Sequence, residues 1–199
     1  MPDAEVKFRG PYCLYERGGE SDAPLLFADE EASLLRGGVY ILAWRHQDLL
    51  YPYYIGETQG VIADRLVAHM QGFLSGAYWI PNPKMLSSAC ESGSRPKQEQ
   101  FYLYKPKDFK KKFLYRLEHC ALMDSIIELL AGFRCFVAEV EDPTKERLKG
   151  IEKHLTQLCY EELNGRLKVP IIDSPRDNGA EPLETKVSFP SGYTIVGLS

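Results

Sequence analysis

The sequence lacks two features: an excess of positive charge and long apolar runs. It has 24 Lys and Arg against 28 Asp and Glu, a net charge of −4, whereas proteins that bind nucleic acid over their whole surface are strongly basic. The net charge argues against a protein that binds nucleic acid over its whole surface, but it does not exclude a local basic patch. No run of about 18 apolar residues is present, as a membrane span would need, and the first residues lack the basic-then-apolar order of a signal peptide. We therefore expect a cytoplasmic protein with no membrane partner.

Cysteine and histidine patterns are also sparse. The five cysteines are scattered and form no Cys-x-x-Cys pair, which argues against a disulfide framework and against a zinc ribbon. The four histidines form no His-x-x-x-His unit. We expect reduced thiols packed in the interior.

The composition is that of a globular chain, with 44% hydrophobic and 26% charged residues. A length of 199 residues favours one domain over two separate cores. We divide it into an N-terminal extension (1–36), a core (37–164) with an insertion at about 73–132, and a C-terminal extension (165–199).

Hydrophobic patterns predict an α/β (α+β) fold with a small three-stranded, mostly antiparallel sheet flanked by helices. Two runs of β-branched and aromatic residues form a hairpin, in which Pro52 indicates a sheet edge or a bulge. Apolar residues at steps of three and four predict helices, and Asp142-Pro143 is typical of a helix start. The predicted strands are 39–44, 49–56 and 133–140, the helices 61–74, 117–131 (ended by Gly132) and 143–164, and a long loop covers 75–100.

Two short motifs and four single residues stand out by their order along these elements. They are Gly38-Val39-Tyr40, Tyr54-Ile55-Gly56, Arg65, His69, Glu152 and Asn164. Taken together they resemble the GIY-YIG nuclease family. The first motif has Val in place of the central Ile, the second is intact, and Arg65 and His69 are one helical turn apart. The resemblance covers about 38–74 and 133–164. The roughly 80 residues between His69 and Glu152 imply a large insertion.

The resemblance implies a Mg²⁺-dependent endonuclease that hydrolyses DNA phosphodiester bonds. Tyr40 is expected as general base, a role that Tyr54 could share or exchange. Arg65 offers a planar set of donors to phosphate oxygens, and His69 and Asn164 orient the reacting groups. The insertion, and the lack of a second repair domain, favour a restriction-like or mobile-element enzyme over a repair or structure-specific nuclease.

The metal ligand is chosen by position on the last predicted helix. Its apolar residues form a stripe into which Glu152 falls at 100° per residue, whereas Glu146 and Glu161 fall outside. A carboxylate facing a core is costly unless it is paired or binds a cation. Glu162 also projects inward, but only Glu152 precedes Asn164 by the 12 residues of the family pattern. We expect Glu152 to hold Mg²⁺, with Mn²⁺ as a substitute.

One segment of the insertion is strongly basic. From position 95 to 116 there are eight basic and two acidic residues, a local charge of +6 that leaves −10 for the remaining chain. Aromatic residues alternate with the basic ones, a mixture suited to phosphate contact and base stacking. We expect this segment to bind DNA through Arg95, Lys97, Lys105, Lys107, Lys110, Lys111, Lys112 and Arg116.

Two other interpretations of the sequence stay open. One is a catalytically inactive module that binds nucleic acid on the same scaffold, and the other is an ordinary α/β protein whose motifs match by chance. Cleavage of DNA with a divalent metal separates the first from an enzyme. Close approach of Tyr40, Tyr54, Arg65 and Glu152 in the folded chain would argue against the second.

Overall fold

The computed structural model describes residues 3–16, 22–93, 98–104, 122–166, 175 and 179–198, and there the chain is a mixed α/β protein, as expected. In chain order the elements are β1 (Ala4–Lys7), β2 (Arg9–Cys13), a 3₁₀ turn (Leu26–Ala28), α1 (Glu30–Ser33), β3 (Arg36–His46), β4 (Leu49–Val61), α2 (Ile62–Leu74), β5 (Ile80–Pro81), α3 (Pro83–Ser92), α4 (Gln98–Phe101), β6 (Tyr102–Tyr104), α5 (Met123–Gly132), β7 (Phe133–Glu139), α6 (Lys145–Tyr160), a π-helical turn (Glu161–Arg166) and β8 (Thr185–Ser188).

The central sheet has four antiparallel strands in the order β2-β7-β3-β4, so the expectation of three strands is wrong. The added strand, β2, comes from the N-terminal extension. Gly10 and Pro11 hide it in the sequence because both residues are depleted in strands. The ladder with β7 is irregular at this point, since the register shifts between Arg9 and Tyr12.

Alternating side chains of the sheet pack against different helices on its two faces. On one face Tyr40, Leu42 and Val137 pack with α2 and with apolar residues that precede β3. On the other face Ile41 and Ala138 pack in the cluster that contains the apolar stripe of α6. That stripe is the predicted one: Leu148, Ile151, Leu155 and Cys159 are fully buried and Leu158 is partly buried.

The insertion holds regular structure where the sequence predicts a loop over 75–100. Helix α3 begins at Pro83, and the Asn82 side chain caps it by accepting a hydrogen bond from the Lys84 amide at 3.0 Å. Leu86 and Ala89 are buried on its inner side. Three serines and a proline obscure this helix in the sequence, because these residues also favour turns.

Two helix ends differ from expectation. Gly132 is the last residue of α5 rather than the residue after it, and a Cβ atom there would lie 2.3 Å from the Trp44 ring. Residues 117–121 of that predicted helix lie outside the described residues. Helix α6 begins at Lys145, since Thr144 caps it by accepting from the Arg147 amide, whereas Asp142 has a φ of 50°.

Both extensions take part in the fold. Strand β8 pairs in parallel with β1, and Leu50 on β4 exchanges backbone hydrogen bonds with Thr194 and Val196. The expected interior position of the cysteines is confirmed for the four that are described, all of which are buried. Among the described residues, no helix is both long enough and apolar enough to cross a bilayer.

Candidate active site

The two tyrosine motifs lie side by side on β3 and β4. Tyr40 pairs with Gly56 in the antiparallel register, and Leu42 pairs with Tyr54. A Cβ atom at position 56 would lie 2.5 Å from Cζ and Oη of Tyr40 and 2.7 Å from Cε1 of Tyr54. Gly56 is therefore required by the phenol rings, which pass over its backbone.

The glycine of the first motif has a different role. A Cβ atom at Gly38 would lie 1.9 Å from the carbonyl oxygen of Ala138 on β7. Gly38 pairs with Glu139 on that strand. It thus allows β3 and β7 to approach closely, and it contributes to the site by fixing the strand that carries Tyr40.

Helix α2 brings Arg65 and His69 to the same face. His69 is only 7% exposed, and its Nε2 lies 2.9 Å from Tyr40 Oη. The Tyr54 ring centroid is 4.7 Å from that of His69 and 6.1 Å from that of Tyr40. The structure therefore brings together four of the six residues that the motifs single out: Tyr40, Tyr54, Arg65 and His69.

Two polar side chains act on the Tyr40 hydroxyl. Nε2 of His69 is within hydrogen-bond distance of it, and the tautomer of His69 decides which of the two groups is the donor. The positive charge of Arg65 acts on the Tyr40 oxygen and favours its ionised form.

Burial shifts both titrating groups away from their charged forms. It raises the pKa of Tyr40 above its ordinary value, with a further rise from Tyr54 and a partial offset from the charge of Arg65. It lowers the pKa of His69 to about 4, and Arg65 adds to that lowering. The attraction between Arg65 and Tyr40 raises the pKa of Arg65. At neutral pH the site thus holds one cation, Arg65, beside a neutral Tyr40–His69 pair.

A cavity of about 460 Å³ adjoins these residues. Tyr54, Arg65 and His69 form part of its wall, and the remaining wall is mainly aromatic. Sequence reasoning did not select Tyr53, Tyr78, Trp79 or Tyr102, which also line it. The signal for two of them was available, because Tyr78-Trp79 begin four residues after the end of the predicted helix at Leu74.

Tyr53 reaches the cavity because β4 has an irregularity there. Leu42 pairs with Tyr54 and the next residue, Ala43, pairs with Pro52, so Tyr53 is the extra residue of a bulge. Bulges redirect side chains and are frequent near active sites. Pro52 predicted a sheet edge or a bulge, and both are confirmed, since β4 is also the terminal strand of the sheet.

Glu152 and Asn164 are on other elements than the four clustered residues. Glu152 is half-buried on α6, beside the apolar stripe, and Asn164 is half-buried in the π-helical turn that follows. Tyr40 packs on the α2 face of the sheet and the apolar stripe of α6 on the other. The helix that carries Glu152 and the helix that carries Arg65 and His69 thus pack on opposite faces of the sheet.

Glu152 is the residue of the predicted site that could hold a metal ion. Among the residues that the structure describes, no group of three or more His, Cys, Asp and Glu side chains could hold a metal ion. Mg²⁺ is commonly bound through one or two carboxylates, with water and substrate phosphates as the other ligands. The single carboxylate of Glu152 fits that mode and does not fit a site made entirely of protein ligands.

The predicted DNA-binding residues cannot be placed in the site. They lie outside the described residues: Arg95, Lys97, Lys105, Lys107, Lys110, Lys111, Lys112 and Arg116.

Comparisons with protein-family models, with curated proteins and with solved structures found no match to this chain. The motifs and the geometry of the Tyr40 cluster are therefore the basis for inferring its function.

Proposed function

We propose that the chain is a divalent-metal-dependent endonuclease of the GIY-YIG type, which hydrolyses DNA phosphodiester bonds. The observation that carries the proposal is the hydrogen bond of 2.9 Å between Oη of the buried Tyr40 and Nε2 of His69. His69 and Arg65 both line the adjoining cavity. A phenol that is hydrogen-bonded to an imidazole, with a phosphate-binding cation beside it, is suited to activating water at a phosphodiester.

Each residue of the cluster has a defined role in this proposal. Tyr40 removes the proton from the attacking water after passing its own proton to His69. Arg65 donates to the oxygens of the scissile phosphate, where negative charge develops. Tyr54 packs against the His69 ring and keeps it in line with Tyr40.

The remaining two residues are on α6 and on the π-helical turn that follows it. Glu152 would hold the metal ion, which supplies positive charge to the phosphate and the leaving oxygen. Asn164 orients backbone or water by hydrogen bonds. The basic segment, 95–116, would grip the DNA, and its place in a large insertion favours a restriction-like or mobile-element enzyme.

Cleavage of supercoiled plasmid tests the proposal. Purified protein should nick or linearise the plasmid with Mg²⁺ or Mn²⁺ and should be inactive with EDTA. Tyr40→Phe should slow cleavage by about 10²- to 10⁴-fold, the usual contribution of a general base. Tyr51→Phe is the matched control: it removes a phenol from the same sheet, but the Tyr51 ring lies against His46 and is not in the cavity wall, so full activity is expected.

A second pair of variants tests the metal ligand. Glu152→Ala should abolish cleavage, and Glu146→Ala, an exposed carboxylate in the first turn of the same helix, should not. Circular dichroism shows whether each variant is folded. Binding of DNA without cleavage in any metal would instead favour an inactive binding module, and equal activity of Tyr40→Phe and Tyr51→Phe would refute the proposed site.

A further inference from the structure

The cavity beside the Tyr40 cluster has aromatic walls. Ten described residues line it, and six of them are aromatic: Tyr53, Tyr54, Phe73, Tyr78, Trp79 and Tyr102. Arg65 is the one side chain among these ten that carries a charge when His69 is neutral. The cavity therefore presents a cation at one position and ring surfaces around it.

One wall is fixed by a turn after α2. Gly76 has a φ of 69°, a conformation that favours glycine, and it folds the chain back so that the amides of Ala77 and Tyr78 both bond the Gly72 carbonyl. A Cβ atom at Gly72 would lie 2.4 Å from Tyr78 Cε2. The Tyr78 ring thus lies directly on α2, with its centroid 5.5 Å from that of His69.

A second wall is formed by Trp79 and Tyr102. Tyr102 begins β6, which pairs with β5 just after Trp79. The two rings meet edge to face with centroids 5.0 Å apart. Trp79 is nevertheless 43% exposed, an unusual degree for a tryptophan that also lines a cavity.

We propose that this cavity holds one unstacked nucleobase of the substrate, next to the phosphate that is cleaved. The inference rests on the proposed function. Arg65 would bind the phosphate, and the base would stack on Trp79 and Tyr78. A volume of about 460 Å³ is within the range of small-molecule sites, and aromatic rings beside an arginine complement a ligand with both a π face and a phosphate.

A base pocket of this kind predicts which class of DNA binds most tightly. Bases in a paired duplex are stacked on their neighbours, so a base can enter the cavity only if it is unpaired or extruded. Extrusion costs a few kcal/mol in a paired duplex and least at an unpaired position. DNA with an unpaired nucleotide at the cleaved position should therefore bind more tightly than a fully paired duplex of the same length.

Tryptophan fluorescence tests the proposal without requiring cleavage. The chain has two tryptophans: Trp44 is 5% exposed and Trp79 is 43% exposed. In EDTA, a thymidine tetranucleotide and a duplex with one unpaired thymidine should quench the emission, and Trp79→Phe should lose most of that quenching. Trp79→Ala should weaken binding about 5- to 150-fold, from the contribution of about 1 to 3 kcal/mol for one stacked base.

Leu103→Ala is the matched control, because Leu103 is an exposed apolar residue of the same strand as Tyr102 and is not in the cavity wall. It should bind DNA as the unchanged protein does. If Trp79→Ala binds within twofold and paired and unpaired duplexes bind equally, the base pocket is refuted, and plasmid cleavage by the same protein would leave the proposed function intact. Quenching without cleavage in Mg²⁺ or Mn²⁺ would support the pocket and refute the nuclease. Absence of both would overturn both.

Discussion

Acid should destabilise this protein through His69, and the size of the effect follows from its position. Burial and the nearby Arg65 lower the pKa of His69 from 6.5 to about 4 in the folded chain. The unfolded chain takes up the proton near the ordinary value of about 6.5. The stabilisation from a neutral His69 is therefore fully present above pH 6.5 and is lost as the pH falls towards 4. The loss amounts to about 3 kcal/mol, at 1.36 kcal/mol for each unit.

Urea unfolding at a series of pH values measures this loss. The free energy of unfolding should be compared between the unchanged protein and His69→Gln, which retains a hydrogen-bond acceptor and cannot titrate. The difference between the two proteins should change by about 3 kcal/mol between pH 7 and pH 4, with the unchanged protein losing more. Well below pH 4, where His69 is protonated in the folded and in the unfolded chain, the difference should be constant.

A second variant separates the two causes of the shift. Arg65→Met removes the nearby charge but leaves the ring buried, so the pKa of His69 should rise only in part, because burial is the larger cause. The Cε1 proton resonance of His69 follows the titration directly. A His69 that titrates near pH 6.5 in the folded protein, or a pH-independent difference from His69→Gln, would refute the buried Tyr40–His69 pair.

Two further predictions concern stability. Gly56→Ala should destabilise the protein by about 1 to 3 kcal/mol and impair cleavage, because the new methyl would overlap the Tyr40 phenol. Gly60→Ala on the same strand is the control, since its methyl would meet only Thr58 Oγ1 at 3.5 Å. Thr144→Ala should cost about 1 kcal/mol by removing the cap of α6, whereas Asp142→Asn should change the unfolding free energy by less than about 0.5 kcal/mol. Urea unfolding measures the loss of stability in both pairs of variants. A larger loss in the control than in its test variant would contradict the prediction for that pair.

The parts of the fold with strong periodicity were predictable. Strands β3, β4 and β7 are rich in β-branched and aromatic residues, and α2 repeats its apolar residues at helical steps, so local pattern and tertiary packing agree. The four clustered site residues were accessible for the same reason: they lie on these elements, and strand pairing and one helical turn bring them together.

The rest depended on contacts that the local sequence does not encode. Strand β2 contains Gly10-Pro11, which disfavours a strand, and forms because it adds to the exposed edge of β7. The sequence suggests that Gly132 follows the end of a helix. In the structure a side chain at this position would overlap the Trp44 ring, which packs on the glycine. The aromatic cavity joins residues from β4, α2 and the insertion, and this long-range arrangement has no short-range signature.

The charges around Tyr40 explain why a metal ion belongs in the proposed mechanism. Transfer of the Tyr40 proton to His69 is unfavourable in the resting protein, because the pKa of the phenol is raised and that of the imidazole is lowered. Arg65 affects the two groups in opposite ways: its charge favours a Tyr40 phenolate but disfavours a protonated His69. The one cation of the cluster therefore cannot by itself make Tyr40 a base at neutral pH. In the proposal, a metal ion held by Glu152 would favour the phenolate further, and the negative charge of a bound phosphate would offset the effect of the cations on His69. Tyr40 would then stay protonated until DNA and metal are both bound.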